Sequence, residues 1–257
     1  MKNLTCSTEE RVATISITRP PANALSSKLL EELDSILDEI KANDEIRVVV
    51  IRGEGKFFSA GADIKEFTEV KSEDDSFALS QNGQKVLERI ENFQKPVIAV
   101  IHGAALGGGL ELAMACHIRL VSEDAKLGLP ELSLGIIPGF AGTQRLPLYV
   151  GTARSLEMML TSEPITGKEA VGYGLANHVY PENELLDKAY ILARKIAQQS
   201  PITVKAIISL QSFTKTERFE SGMKREAELF GKTFATNDAK EGIEAFLEKR
   251  KPVFKGK

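Results

Sequence analysis

Hydrophobic and polar positions along the chain follow two rhythms. Val12 to Ile17 alternates apolar with small polar residues, the period of a half-buried strand, and Pro20-Pro21 breaks it. Leu25, Leu29, Leu33, Ile36, Leu37 and Ile40 fall on one helical stripe, with Ser26 or Ser27 placed to cap it. Val48-Val49-Val50-Ile51 is a continuous apolar run ended by Gly53, which predicts a buried strand. Leu79 to Phe93 predicts a helix, Pro96 to Ile101 a second buried strand stopped by Gly103, Gly109 to Ala115 a short buried helix, and Ile118 to Val121 the strand after it. Buried strands alternating with helices define an α/β domain in which loops at strand ends build the site. No segment recurs at a fixed period, although a strand–strand–helix rhythm does.

The last third changes character. Thr166-Gly167-Lys168-Glu169 spells a capping box at a helix start. After Pro181 the pattern is almost wholly helical: Glu184 to Gln198, Ile202 to Phe213, Phe219 to Phe230, and Ala239 to Lys249. These segments have no evident strands to pack on, so they are expected to cover the main domain or one another, within a chain or between chains. A boundary near residue 195 divides the chain into a core, 1–195, and a helical C-terminal region, 196–257. That region carries Phe213, Phe219, Phe230, Phe234, Phe246 and Phe254, half of the chain's 12 phenylalanines. So aromatic a layer needs a large apolar surface, either the subunit's own core or a neighbouring subunit in a closed oligomer.

Composition narrows the function. The 257 residues are 42% hydrophobic, enough for a full core, and the formal charge of −3 mixes both signs. Nothing in that balance calls for a nucleic-acid or membrane partner. The basic cluster Lys249-Arg250-Lys251 reads as a solvated helix end. Cys6 and Cys116 match no zinc spacing, and His102, His117 and His178 are scattered, so no metal site is expected. The N-terminal segment lacks the apolar core of a signal peptide, and no run approaches the roughly 18 apolar residues of a membrane span. The expectation is a soluble, reduced, cytoplasmic protein.

Two loops are candidates to donate backbone N–H groups. Phe58-Ser59-Ala60-Gly61-Ala62-Asp63 is built of small residues against which a ligand can lie, and Asp63 can cap the turn after it. Leu106-Gly107-Gly108-Gly109 opens an apolar helix. If the N–H groups of Ala62 and Gly108 converge, they make a two-donor oxyanion hole backed by the helix dipole. Either loop alone is equally readable as a tight turn without a ligand, and neither matches the dinucleotide or P-loop pattern.

Two carboxylates stand close behind the glycines in sequence. Glu111 lies in the first turn of the apolar helix among Leu110, Leu112, Ala113 and Met114; Glu131 comes after Pro130 in the apolar stretch Leu127 to Leu132. Acids in such surroundings are candidates for raised pKa values and proton transfer. Plainer readings are a helix-start acid stabilised by the dipole for Glu111, and a loop acid paired with Arg119 or Arg145 for Glu131. No serine sits in a Gly-x-Ser-x-Gly elbow, so a serine triad is unsupported.

These residues carry a resemblance. Asn-Ala-Leu at 23–25, Phe-Ser-Ala-Gly-Ala-Asp at 58–63, Lys-Pro-Val-Ile-Ala at 95–99, Gly-Gly-Gly-Leu-Glu at 107–111, Pro-Glu-Leu at 130–132 and Gly-Ile-Ile-Pro-Gly-Phe-Ala-Gly-Thr-Gln-Arg-Leu at 135–146 are similar to the crotonase superfamily. So is Glu-Gly-Ile-Glu-Ala-Phe-Leu-Glu-Lys-Arg at 241–250. Within it the chain most resembles the short bacterial enoyl-CoA hydratases. The resemblance implies a spiral of ββα units with a C-terminal helical region that builds trimers, commonly dimers of trimers. It implies an acyl-CoA thioester as substrate and no separate cofactor. Ala62 and Gly108 match the donors to the thioester oxygen. Glu111 matches the residue that helps activate the water adding at Cβ, and Glu131 the one that delivers the proton to Cα. Ala60, Gly61, Asp63, Ile64, Lys65, Phe246 and Lys249 match positions around the CoA and acyl groups, and the resemblance allows the last two to serve a neighbouring subunit. His117 stands where many members have aspartate, and Leu129 where some hydratases have a polar residue.

The expected activity is reversible syn addition of water to a trans-2-enoyl-CoA, giving the 3-hydroxyacyl-CoA, as in fatty-acid β-oxidation. An enoyl-CoA isomerase, which moves a proton and needs no water, is the nearest alternative. A crotonase-like RNA-binding protein is a more distant one, disfavoured by the lack of a basic surface.

Overall fold

The computed structural model describes residues 3–67, 72–214 and 236–257. Its main sheet has six strands in the order β1-β2-β3-β4-β6-β9. These are β1 (Leu4–Glu9), β2 (Val12–Ile17), β3 (Val48–Gly53), β4 (Val97–Ile101), β6 (Ile118–Ser122) and β9 (His178–Tyr180). Only β1 runs antiparallel to its neighbour. A smaller sheet joins β5 (Ala104–Leu106), β7 (Lys126–Gly128) and β8 (Ile165–Thr166).

The small sheet continues as single bridges. Ser59 pairs in parallel with Ala105, and Leu25 in parallel with Ala62. The order Leu25, Ser59–Ala62, β5, β7 therefore repeats that of β2, β3, β4, β6 in the main sheet. Each pass of the chain lays one segment in the large sheet and the next in the small one, then returns through a helix. This is the spiral of strand–strand–helix turns that the resemblance implies, and the α/β class that the hydrophobic pattern predicts.

Helix α1 (Ser27–Ala42) is capped by Ser26, whose side chain accepts the Leu29 N–H, and it buries Leu29, Leu30, Leu33, Leu37 and Ile40. Helix α2 is the single turn Ile64–Phe67. Helix α3 (Glu73–Glu91) begins six residues before the predicted start, because Ser72 caps a polar first turn that carries no apolar stripe. Helix α4 (Gly108–Ala115) is buried along all of its length. After the 3-10 turn Glu131–Leu134 come α5 (Gly142–Val150), α6 (Thr152–Thr161) and α7 (Gly167–Gly172). Thr166 and Glu169 form the predicted capping box on α7.

Two expectations are overturned. Strand β2 is not half-buried: all six residues are buried. Its Ala13, Ile15 and Ile17 face the core shared with α1, while Val12 joins the opposite core against Leu185, Ala189, Ala193 and Ala197. Those four belong to α8 (Glu182–Ala197), so this helix does have strands to pack on and covers the second face of the main sheet. The small polar residues of β2 that mimic a solvent face are absorbed there; the hydroxyls of Thr14 and Tyr190 lie 3.0 Å apart. The boundary drawn near residue 195 falls inside α8.

Beyond it lie α9 (Pro201–Thr214) and a last helix, Asn237–Leu247. Buried Asp238 accepts hydrogen bonds from the Ser200 hydroxyl and from the N–H groups of Lys255 and Gly256, which pins the C-terminal segment. The helix expected over 219–230, with Phe219 and Phe230, and Phe234 beyond it, lies outside the described residues, as do the side chains of Phe213 and Phe246.

The C-terminal end of α4 is fastened by a buried cation. Arg119, 4% exposed, donates from Nε to the Leu175 carbonyl at 2.7 Å and from Nη1 to those of Cys116 at 2.6 Å and Ala113 at 3.2 Å. Its guanidinium lies 4.3 Å from the centre of the Tyr149 ring, and the Tyr149 hydroxyl donates to Met114 O at 2.9 Å. Positive charge at a helix C-terminus complements the dipole and satisfies carbonyls that the helix leaves open. Arg119→Met fills the space but leaves the Leu175 and Cys116 carbonyls without their donor, while Ala113 O keeps the Cys116 N–H at 3.2 Å. Urea denaturation is expected to show a loss of about 3 kcal/mol; a loss under about 0.5 kcal/mol, the level of an ordinary surface change, would remove Arg119 from this role.

Candidate active site

The site is assembled by the small sheet. Strands β5 and β7 lie side by side and in parallel, with Leu106 opposite Gly128. One strand runs on into Gly107 and α4; the other runs on through Leu129 and Pro130 into Glu131. The Gly107 N–H extends the ladder by donating to Gly128 O at 2.9 Å. This brings the glycine run and Glu131 together. Gly107 has φ 50° and ψ −127°, a conformation open to glycine, and a β-carbon there would stand 2.8 Å from Glu131 Oε1. The carboxylate thus rests directly on the backbone.

The first donor loop reaches the site along the same ladder. Ser59 N–H donates to Ala104 O at 3.1 Å, and Leu106 N–H returns a bond to Ser59 O at 3.0 Å. On its other edge, Leu25 bonds Gly61 O and the Asp63 N–H, so the N–H of Ala62 between them points away from Leu25. Its nitrogen is close to Gly108: a β-carbon on Gly108 would lie 3.2 Å from Ala62 N. Gly108 is in the first turn of α4, where the N–H has no acceptor within the helix. The loop packs this closely because Gly109 has no side chain; a β-carbon there would meet Ser59 O at 2.3 Å. Two main-chain donors therefore stand next to each other at the positive end of a buried helix.

The two carboxylates share the cleft with these donors. Its volume is about 1060 Å³, and Ala60, Gly61, Ala62, Gly108, Glu111 and Glu131 all line it. Glu111 is 2% exposed, and its Oε1 accepts the N–H groups of Phe140 at 2.8 Å and Gly142 at 2.7 Å. Leu129 Cδ1 stands beside this carboxylate: both lie about 3 Å from the point where a Gly142 β-carbon would sit. Burial, and then the charge of Glu131, push the Glu111 pKa up to about 7, against the pull of the two N–H bonds and of Arg145. Burial also raises the pKa of Glu131, whose Oε2 is buried without a hydrogen-bond partner among the described residues. Both carboxylates are thus held in their protonated form more readily than in water.

The plainer reading of Glu131 is excluded, whereas Glu111 does lie in the first turn of α4. Arg119 is committed to backbone carbonyls and Arg145 to Glu91 and Phe140 O, so neither pairs with Glu131. Ile64 lines the cleft and is 55% exposed. Asp63 and Lys65 do not line it. Asp63 is ion-paired with Arg19 and accepts the Lys65 N–H at 3.1 Å, which is the capping role expected of it. Lys249 is exposed just beyond the last helix and also lies outside the cleft lining. His117 is turned away, its Nδ1 accepting the Val97 N–H at 2.9 Å. Phe140, Gly142, Arg145 and Glu91 shape the surroundings of Glu111, a role the sequence does not assign to any of them; two act through main-chain N–H groups, which leave no mark on side-chain identity.

Two neighbouring main-chain N–H groups and two carboxylates of raised pKa in one cleft suit acid–base chemistry next to a carbonyl. Comparison with known proteins agrees. Residues 7–257 match the family model described as enoyl-CoA hydratase/isomerase. A probable enoyl-CoA hydratase of Bacillus subtilis (strain 168) is 57% identical over 257 residues, covering all of both chains. A short-chain-enoyl-CoA hydratase of Clostridium acetobutylicum is 41% identical over 98% of this chain and 97% of that one. The crystal structure of an enoyl-CoA hydratase from Bacillus anthracis superposes with a TM-score of 0.94 at 39% identity, covering 99% of this chain and 100% of the other. The chain belongs to the enoyl-CoA hydratase/isomerase family.

The buried acid makes stability depend on pH. The Glu111 pKa in the folded state is about 7 against an ordinary 4.5, so the folded protein holds a proton that the unfolded chain releases. That contribution is complete below pH 4.5 and is lost as pH rises through 7. At about 1.4 kcal/mol per unit, the loss is about 3 kcal/mol. Glu111→Gln removes it. Urea midpoints measured at pH 5 and pH 8 are expected to show the variant gaining on the wild type at the higher pH; parallel behaviour would mean that Glu111 ionises without strain.

Proposed function

We propose that this protein is an enoyl-CoA hydratase acting through these residues. The observation that carries the reading is the placement of both Glu111 and Glu131 in one cleft beside the N–H groups of Ala62 and Gly108. The thioester oxygen of a trans-2-enoyl-CoA accepts from the two N–H groups, which stabilise the enolate-like charge that develops there. Ionised Glu111 takes a proton from the water whose oxygen bonds to Cβ. Protonated Glu131 gives its proton to Cα, and the double bond between Cα and Cβ becomes single. The carboxylates have then exchanged protonation states, and a proton passed between them through the next water restores the start. Syn addition requires both groups to act on one face of the enoyl group, which two carboxylates lining one cleft allow.

An isomerisation needs one group to carry a proton between carbons and no water. Two carboxylates, one with a buried oxygen that meets no donor among the described residues, suit hydration better. The chemistry asks for nothing beyond the substrate's own coenzyme A, and fatty-acid β-oxidation in the cytoplasm is the setting that fits it. Among the described residues, no helix is long and apolar enough to cross a membrane, and no group of three or more His, Cys, Asp and Glu is placed to hold a metal. Ala60, Gly61 and Ile64 flank the donors and would contact the acyl-CoA directly. Asp63, held by Arg19, and Lys65 lie outside the cleft lining, and the role proposed for them is toward the CoA portion rather than the acyl group.

Replacing Glu111 or Glu131 by Gln keeps shape and removes proton transfer. Each change is expected to lower kcat for crotonyl-CoA hydration by ~10²–10⁴ with a smaller effect on KM. Because both act on one water, the losses should not multiply in the double variant. Near-wild-type hydration by either single variant would overturn the assignment, and double-bond migration without hydration would point to an isomerase.

The protein is proposed to work as a homotrimer or dimer of trimers, with Phe246 and Lys249 near a subunit boundary. Leu148, Leu156 and Leu160 on α5 and α6 are 59%, 48% and 65% exposed, an apolar face that a second subunit would cover. Analytical ultracentrifugation at micromolar concentration is expected to give a multiple of 28.1 kDa. A fully active monomer would rule assembly out.

A further inference from the structure

One partly buried ion pair beside the cleft has no part in the chemistry above. Arg145 is 6% exposed; its Nε and Nη2 donate to Glu91 Oε2 at 3.3 and 3.1 Å, and its Nη1 donates to Phe140 O at 2.8 Å. The carbonyl it grips lies within the turn that binds Glu111. The N–H groups on either side of that turn, Phe140 and Gly142, are the two that Glu111 Oε1 accepts. Between them Ala141 has φ 70° and ψ 25°, left-handed geometry that a non-glycine residue holds only under constraint. Arg145 supplies constraint twice, since its own N–H also donates to Ala141 O at 3.0 Å. A buried ion pair adds little stability compared with apolar residues of the same size, so stability alone does not account for it.

We propose that Arg145 and Glu91 form a charge-balanced positioning pair for Glu111. Arg145 holds the Phe140–Gly142 turn in the shape that seats the carboxylate and supplies a positive field beside it, and Glu91 limits that field. The inference rests on the hydratase reading of Glu111. The charged groups around Glu111 come from three directions: Glu131 from the 3-10 turn, Arg145 from α5, and Glu88 and Glu91 from α3, all on the cleft wall. Helix α4 brings no other charge, and Asp63 of the neighbouring loop is bound to Arg19. Removing Arg145 must therefore favour the protonated pair, and removing the charge of Glu91 must favour the ionised one. Opposite signs show that both halves act on Glu111 through their charge; a kcat that stays low in Arg145→Lys, which keeps the charge, shows that the guanidinium also holds the turn.

The test is the pH dependence of kcat and KM for crotonyl-CoA hydration by the full chain. Arg145→Met is expected to lower kcat at least about tenfold, with KM within about threefold, and to move the acidic limb up by about one pH unit. Arg145→Lys keeps the charge and loses the fork, so it should return the limb near its wild-type position while kcat stays reduced. Glu91→Gln should move the limb down by roughly half a unit. Shifts of the same sign in Arg145→Met and Glu91→Gln, or none in either, would overturn the proposal. If Arg145→Met does not fold, the Lys and Gln variants decide. Titration of the Glu111 carboxylate by NMR reads the same shifts without turnover, so a wild type inactive on crotonyl-CoA would count against the hydratase reading alone.

Discussion

Backbone hydrogen bonds of about 3 Å link Leu25, Ser59–Ala62, β5 and β7 into one parallel ladder, and the site exists because of its register. Parallel neighbours leave the ladder at the same end. The residues just beyond each segment are therefore delivered together, however far apart they lie in sequence. Ala62, Gly108 and Glu131 come from three successive passes and meet at that end. The large sheet, the two cores on its faces and the helices that return the chain all serve to keep those passes in register. A slip of one residue in β5 against β7 would separate Gly107 from Gly128 and lift Glu131 off the glycine on which it rests.

Much of this is legible in the sequence, and the reasons for the remainder are physical. The stripe of α1, the buried run of β3 and the capping box of α7 are local signals, set by the residues that form them. Strand β2 reads as half-buried because Thr14 and Ser16 look like a solvent face, whereas a tyrosine from α8, far along the chain, meets Thr14. Strand β1 escapes the hydrophobic pattern because it is a polar edge strand with five exposed residues. Helix α8 shows no sign of the sheet it covers because periodicity describes a helix's apolar face and not what lies opposite. Glu111 and Glu131 stand out as acids in apolar context. Their surroundings do not: the two N–H groups on Glu111 belong to Phe140 and Gly142, and a main-chain donor is the same atom in every residue except proline.

Under the proposed function, the carboxylate pair sets function against stability. Two acids in low-dielectric surroundings resist ionisation, and it is that resistance which brings a glutamate toward neutrality where it can exchange protons with water. The structure limits the cost with directed groups rather than by exposing the acids. Two N–H bonds fix one oxygen of Glu111, and Arg145 contributes charge from behind the turn. Ala141 carries backbone strain in the same place, so three unfavourable features are concentrated within a few residues and are held by the rigid packing of α4 and α5.

The close approach of Gly109 to Ser59, and of Gly108 to Ala62, has a consequence for how such a site drifts under mutation. A survey of single substitutions would find the glutamates at once, because each owns its chemistry through a side chain. It would register the glycines as structural and Ala62 as tolerant of small replacements, and the pair of donors would not show up as donors at all. Main-chain groups cannot be exchanged one at a time, so selection acts on them only through the spacing of the passes that carry them. With the roles proposed for these residues, the electrophile-binding half of the site is inherited with the fold, while the proton-transferring half remains free to change residue by residue.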